Sequence, residues 1–168
     1  MEGLDIASLL LRLTVGSTIL AHGLNHAFGG GKLPGTARWF ASLGMRPAKL
    51  HALLATVTEI GAGGLLLLGL LTPLAAAAVV GTLMVALIAN HIKNGFFIFR
   101  PGEGYEYVLM IIIVSLAIGA LGGGEVSIDH ALDIDDDLDG WVGAGIAAAG
   151  ALGGALVLAT SWRPTKSA

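Results

Sequence analysis

The sequence predicts an all-α protein, a polytopic transmembrane helix bundle with five spans, and three observations carry the prediction. The 168 residues are 55% apolar and only 12% charged, with 26 glycines, and the mean hydropathy of +0.81 lies far above that of a soluble domain. Five apolar stretches are long enough to cross about 30 Å of hydrocarbon. Outside those stretches, lysine and arginine fall in the loops of one side only. The length is one domain's worth and leaves no room for an additional enzyme domain. A chain without cysteine has no disulfide, thiolate zinc site, iron–sulfur ligation or redox dithiol, so any redox role needs a bound cofactor. The net charge of −3 gives no reason to expect nucleic acid.

The spans are expected at residues 4–27, 49–71, 74–92, 105–121 and 141–161. In the first, Glu2 and Asp5 stand where a signal peptide has basic residues, Arg12 interrupts the apolar run and no cleavage site is evident, so this segment is read as retained. Residues 36–43 read as a short helix on the membrane surface, with Trp39, Phe40 and Leu43 on one side and Gly44 ending it. Gly61, Gly63 and Gly64 in the second span, and Gly150, Gly153 and Gly154 in the fifth, point to close helix packing. The fourth span is the shortest, about 17 residues, with Tyr105 and Tyr107 as interfacial anchors. Trp141 and Trp162 bracket the fifth at a separation of roughly 32 Å, one bilayer crossing.

Five spans place Lys32, Arg38, Arg46, Lys49, Lys93, Arg100, Arg163 and Lys166 on one side. The other side carries Glu2, Asp5 and the acidic stretch from Glu125 to Asp139. By the positive-inside rule the N-terminus and acidic loop lie outside and the C-terminus is cytoplasmic.

Ionisable groups at membrane depth are costly and mark functional candidates. Asp5, Arg12, His22 and His26 fall within an arc of about 100° on the first helix, a face expected to turn into the bundle. Depths of about 13 Å for Arg12 and 18 Å for Glu59 suggest an internal ion pair between them. His22 and His26, Asn90 and His91, and Glu106 and Tyr107 fall toward the same inner end. These six are the candidates for hydrogen-bonding a quinone and handling its protons, since histidine titrates near neutral pH. Two other uses of the histidines stay open. His22, His26 and His91 could bind a transition metal, or His91 with His22 or His26 could be axial ligands to a b-type haem. Asp135, Asp137 and Asp139, followed by Gly140, fit the start of a calcium loop, although Ile146 stands where the closing glutamate belongs.

Several of these residues occur in recognisable runs. Leu10-Leu11-Arg12-Leu13 with Gly16 and Ala21-His22-Gly23, Glu59-Ile60-Gly61 through Leu68-Gly69-Leu70-Leu71-Thr72-Pro73, and His91 with Asn94-Gly95-Phe96-Phe97 resemble the DoxX family of bacterial membrane proteins. Gly104-Tyr105-Glu106-Tyr107 and Val126-Ser127-Ile128-Asp129 extend the resemblance over roughly residues 5–132. It implies a four-helix core at residues 1–132, to which an acidic extracytoplasmic loop (133–140), a fifth helix (141–162) and a cytoplasmic tail (163–168) are added. It also implies a bacterial cytoplasmic membrane and association with quinone-linked oxidoreductases, including thiosulfate:quinone oxidoreductase relatives and oxidative-stress complexes. Arg12, His22, Glu59, His91 and Glu106 fall on the polar positions of that pattern.

The resulting expectation is a membrane subunit of a quinone-linked oxidoreductase, surrounded by lipid and bound to larger subunits or to copies of itself. With no cysteine and no dinucleotide fingerprint, its electrons come from another subunit. The alternatives are a structural or assembly protein without a redox ligand, and a small proton-coupled carrier.

Overall fold

The computed structural model describes residues 2–164. Of the predicted tail, Lys166 lies outside the described residues. The long helices are α1 (Gly3–Phe28), α3 (Ala48–Leu68), α4 (Thr72–Ala86), α5 (Glu106–Leu121) and α8 (Gly140–Ser161). Short helices α2 (Lys32–Ser42), α6 (Ile128–Ala131) and α7 (Asp135–Leu138) lie between them. Among the described residues the only strand-like pairing is an antiparallel bridge between Met45 and Trp162. A π-turn at Leu87–His91 and a 3-10 turn at Ile92–Asn94 extend α4, giving one apolar rod over Thr72–Asn94. That rod, α1, α3 and α8 are each long and apolar enough to cross a bilayer, and α5 is a shorter apolar helix of 16 residues. The chain is a multi-pass membrane protein.

α5 nevertheless runs between the two ends of the bundle, rising about 24 Å. At its start the Glu106 N–H donates to the Phe96 carbonyl at 2.9 Å, and just past its end the Gly122 carbonyl accepts from Ser8 Oγ at 2.7 Å. The same end gathers the start of α1, the α3–α4 turn and the 122–139 segment. There the Glu125 N–H reaches Asp5 Oδ1 at 3.1 Å and the Asp129 N–H reaches the Gly69 carbonyl at 2.9 Å. The opposite end joins residues 43–46 to the close of α8, through Arg46 N–H to the Ser161 carbonyl at 2.8 Å and Trp162 Nε1–H to the Leu43 carbonyl at 2.9 Å. The chain therefore has an acidic end and a basic end, as the alternation of charge requires.

α1 packs on α3, α4 on α8, and α5 against both α4 and α8. Lipid supplies no hydrophobic drive for such pairing, so close van der Waals approach has to. Glycine permits it: a Cβ on Gly150 would collide with the Ala77 carbonyl, and one on Gly63 would meet Gly16 and Leu20. Val15, Ile19, Leu66, Val79, Ile118 and Ala147 fill the centre.

Three local expectations change. α3 ends at Leu68, short of the predicted 71, because Gly69 (φ 63°) and Leu71 (φ 49°) turn through the left-handed region. The turn is held from a distance: the fully buried Asp129 carboxylate accepts the N–H groups of Leu71 at 2.6 Å and Thr72 at 2.9 Å, serving as the cap of α4. Second, α2 does not lie free on a surface but packs on α3 and α1 with Thr36 and Ala37 buried. Third, the acidic segment 133–140 contains a helical turn, α7.

Candidate functional site

The polar stripe of α1 divides into two separate arrangements. Ser8, Arg12, Val15, Gly16, Ile19 and Gly23 are buried along it. Arg12, 0% exposed, donates from Nη1 to the Leu66 carbonyl at 3.1 Å and from Nη2 to the Val126 carbonyl at 2.6 Å. Asp129 supplies the compensating charge. The expected Arg12–Glu59 pair does not form. Arg12 reaches the level of Leu66, seven residues and roughly 10 Å along α3 from Glu59, because α1 and α3 are staggered rather than flush at their ends.

Glu59 instead meets His26. The Glu59 Oε2 lies 3.3 Å from His26 Nε2, close enough for charge attraction but off the angle of a hydrogen bond, so this buried oxygen has no donor among the described residues. His26 is set by its surroundings. Its ring stacks on Trp39 at a centroid separation of 6.1 Å and meets the edge of Phe40 at 6.2 Å. Its Nδ1 lies 3.4 Å from Thr36 Oγ1, which also donates to the His26 carbonyl at 3.2 Å. α2 thus folds beneath the end of α1 and orients the imidazole.

His26 and Glu59 open onto a cavity of about 630 Å³ floored by α4 and walled by α3 and α8. His51, one turn into α3 and 9% exposed, also lines it, and its buried Nε2 has no partner among the described residues. Asn90 enters from the π-turn that closes the α4 rod. Such turns re-aim side chains that an unbroken helix would carry elsewhere, and they are frequent at functional sites. Two imidazoles, a carboxylate and a carboxamide face a space that is otherwise almost wholly apolar.

Of the six predicted quinone or proton-handling residues, the structure brings two to this cavity, His26 and Asn90. His22 is exposed. It lies about 80° around the helix from Arg12, at 100° per residue, just past the buried arc. His91 Nδ1 lies 3.1 Å from the Glu103 carbonyl, and with Asn94, which donates to the Gly102 and Glu103 carbonyls, it ties down the 95–105 loop. Glu106 and Tyr107 line a separate groove beside Phe96 and Met110. The three-histidine metal set and the His91-containing haem pair therefore do not assemble around this cavity, and no cluster of three or more metal-ligating side chains occurs among the described residues.

The same holds for Asp135, Asp137 and Asp139. On a helical turn, side chains at i and i+2 point about 200° apart, so α7 disperses Asp135 and Asp137, which a calcium loop would converge, and Asp139 follows it in extended backbone. Asp135 Oδ2 is engaged with His130 Nδ1 at 2.6 Å. That hydrogen bond, with the surrounding negative charge, holds the exposed His130 above the usual imidazole range, and the same bond, with backbone N–H groups, holds Asp135 below the usual carboxylate range. The raised histidine contributes below its unfolded value and loses its contribution as pH rises through the folded one. The lowered aspartate contributes above its unfolded value and loses it as pH falls through the folded one. The contact is strongest between those two limits. An NMR titration of the His130 ring should show its midpoint fall in Asp135→Asn, and an unmoved midpoint would refute the pairing.

The sequence reading missed His51 and gave Glu59 the wrong partner. The available signal was a histidine one turn inside the second span, eight residues before Glu59 on the same half of the helix. Asp129 was read as part of an acidic stretch and of the run Val126-Ser127-Ile128-Asp129 that extends the resemblance, without its role as a cap.

The family model described as DoxX matches residues 7–92, just over half of the chain. The chain belongs to the DoxX family. The match covers α1 to the π-turn and thus Arg12, His26, His51, Glu59 and Asn90, every ionisable or carboxamide group of the two arrangements except Asp129. α5 and α8 follow it. No curated protein and no solved structure matches the chain.

Proposed function

We propose that this DoxX protein is a membrane subunit of a quinone-linked oxidoreductase and that its cavity holds the quinone ring. The observation that carries the reading is the His26–Glu59 contact beside the unpartnered His51 Nε2, all facing one apolar cavity inside the membrane. Unpaired buried polar atoms are costly, and more so in lipid; a ligand bearing carbonyl oxygens would accept a hydrogen bond from the unpartnered His51 Nε2. Reducing a quinone to a quinol takes two electrons and two protons. The imidazoles of His26 and His51 and the Asn90 amide can donate hydrogen bonds to the two carbonyls, and Glu59 can exchange protons with His26. The electrons come from a partner oxidoreductase subunit, since this chain carries neither thiols nor a dinucleotide motif. In a bacterial cytoplasmic membrane the basic end faces the cytoplasm, which places the N-terminus and acidic loop outside and opens the polar half of the cavity toward the inner leaflet.

Trp39 lines the cavity against His26 and reports on its occupancy. With the protein in lipid nanodiscs, a tail-less methylated benzoquinone should quench Trp39 fluorescence saturably. His51→Phe, which keeps the volume and removes the donor, should weaken that binding about tenfold, the worth of one hydrogen bond in a dry site. Quenching that rises linearly without saturation and is identical in His51→Phe would point instead to a scaffold or carrier without a redox ligand.

A further inference from the structure

The cavity is longer than a quinone ring and its polarity is one-sided. Along the floor it runs from Leu74 near the acidic end to Asn90 near the basic end, about 24 Å of helix. Every ionisable or carboxamide side chain in its lining sits between the mid-level, at Glu59 and the His26 beside it, and the basic end, at His51 and Asn90. The acidic half is bounded by Leu74, Ala77 and Gly81 of α4 and by Ile146, Ala149 and Gly153 of α8. The position of α8 beside α4 is fixed, because Gly81 packs on Gly150 and Gly154 at backbone contact. Ala149 and Gly153 are exposed, and a Cβ on Gly153 would meet nothing within 4 Å. α3 stands on the other side of the α4 floor. The groove between α3 and α8 therefore opens sideways, toward lipid.

We propose that this apolar half is a tail groove and that α8, which lies outside the family match, is the wall that makes the site selective for a quinone bearing a long isoprenoid tail. This deepens the function proposed above and rests on it. A head held at His26, His51 and Asn90 leaves its tail pointing toward Leu74 and Ala149, where about 10 Å of apolar groove shields it before it passes out between α3 and α8. No lysine or arginine lines the cavity among the described residues. A phospholipid would bring a phosphate to a carboxylate with no cation to meet it, whereas a neutral ring with carbonyl acceptors suits the donors present.

The experiment compares two probes in nanodiscs at fixed quinone-to-lipid ratio, the tail-less benzoquinone and the same ring with a long isoprenoid tail, by Trp39 quenching. The wild-type chain should bind the tailed probe at least about tenfold more tightly than the tail-less one, the worth of two buried methylenes or more. Ala149→Phe fills the groove from an exposed position and touches none of the head-binding residues. It should remove most of that advantage and leave tail-less binding within about twofold. Gly153→Leu, whose Cβ enters open space, should act in the same direction. Equal binding of both probes, or an advantage untouched by both variants, overturns the tail groove while leaving the head site standing. Failure of the tail-less probe to bind, with the tailed probe also inert, overturns the function itself. Displacement of the tailed probe by anionic phospholipid as readily as by quinone assigns the groove to ordinary lipid and also overturns the proposal.

Discussion

Arg12→Ala is expected to destabilise the bundle by about 3–5 kcal/mol, the range for breaking a buried charge arrangement by removing one member. The side chain has no solvent access and holds three segments: its own helix, the end of α3 through the Leu66 carbonyl, and the 122–127 loop through the Val126 carbonyl. Removing it leaves both carbonyls without that donor and Asp129 without its compensating charge. Asp129 in turn holds the N–H groups that begin α4, so the damage spreads from α1 to the α3–α4 turn. Arg12→Lys should recover only part of the loss, because one ammonium cannot reproduce a planar fork reaching two carbonyls. Arg12→Met combined with Asp129→Asn should cost less than the two single changes added together, since neither then leaves an uncompensated charge. Reversible unfolding in lipid or detergent, followed by circular dichroism, measures all five variants. An Arg12→Ala chain within about 0.5 kcal/mol of the parent would show that the guanidinium is not the clasp described here.

The spans were legible because the bilayer imposes one strong rule, that a crossing segment be about 20 residues of apolar helix, and because charge segregation counts the crossings independently. The predicted fifth span, residues 141–161, differs from α8 (Gly140–Ser161) by one residue. What the sequence could not supply was stagger. Depth reckoned along each helix from its own end assumes flush ends, and the offset of α1 against α3 exchanged the partners of Arg12 and Glu59. Periodicity fared better on α1, where Ser8, Arg12 and Gly23 are buried as one arc, but it has no sharp edge, and His22 fell just beyond it. The 95–105 loop shows a third limit. His91 looked like a site residue by depth, but the carbonyls that position it come from a connection whose path no helical period predicts. Asp129 was similarly hidden, since a cap contributed from 57 residues away along the chain leaves no local signature.

Glu59→Gln is expected to separate stability from function. Had Glu59 neutralised Arg12, its loss would leave a buried guanidinium uncompensated and unfold the bundle. Arg12 has other partners, and Glu59 Oε2 has no hydrogen-bond donor among the described residues, so the neutral amide should leave the melting temperature unchanged or raise it. A carboxylate whose Oε2 has no hydrogen-bond donor among the described residues and which is 7% exposed inside a membrane span is expensive by any transfer scale, and a local rule broken without full structural compensation points to use. The amide cannot exchange protons with His26. If the proposed function holds, quinone-dependent turnover of the assembled oxidoreductase should fall by about a hundredfold or more, the usual contribution of a positioned proton-transfer group, while binding of the tail-less quinone changes far less. A Glu59→Gln chain that melts several degrees lower and turns over normally would reverse the assignment, making Glu59 a structural partner of His26 and moving the proton route elsewhere.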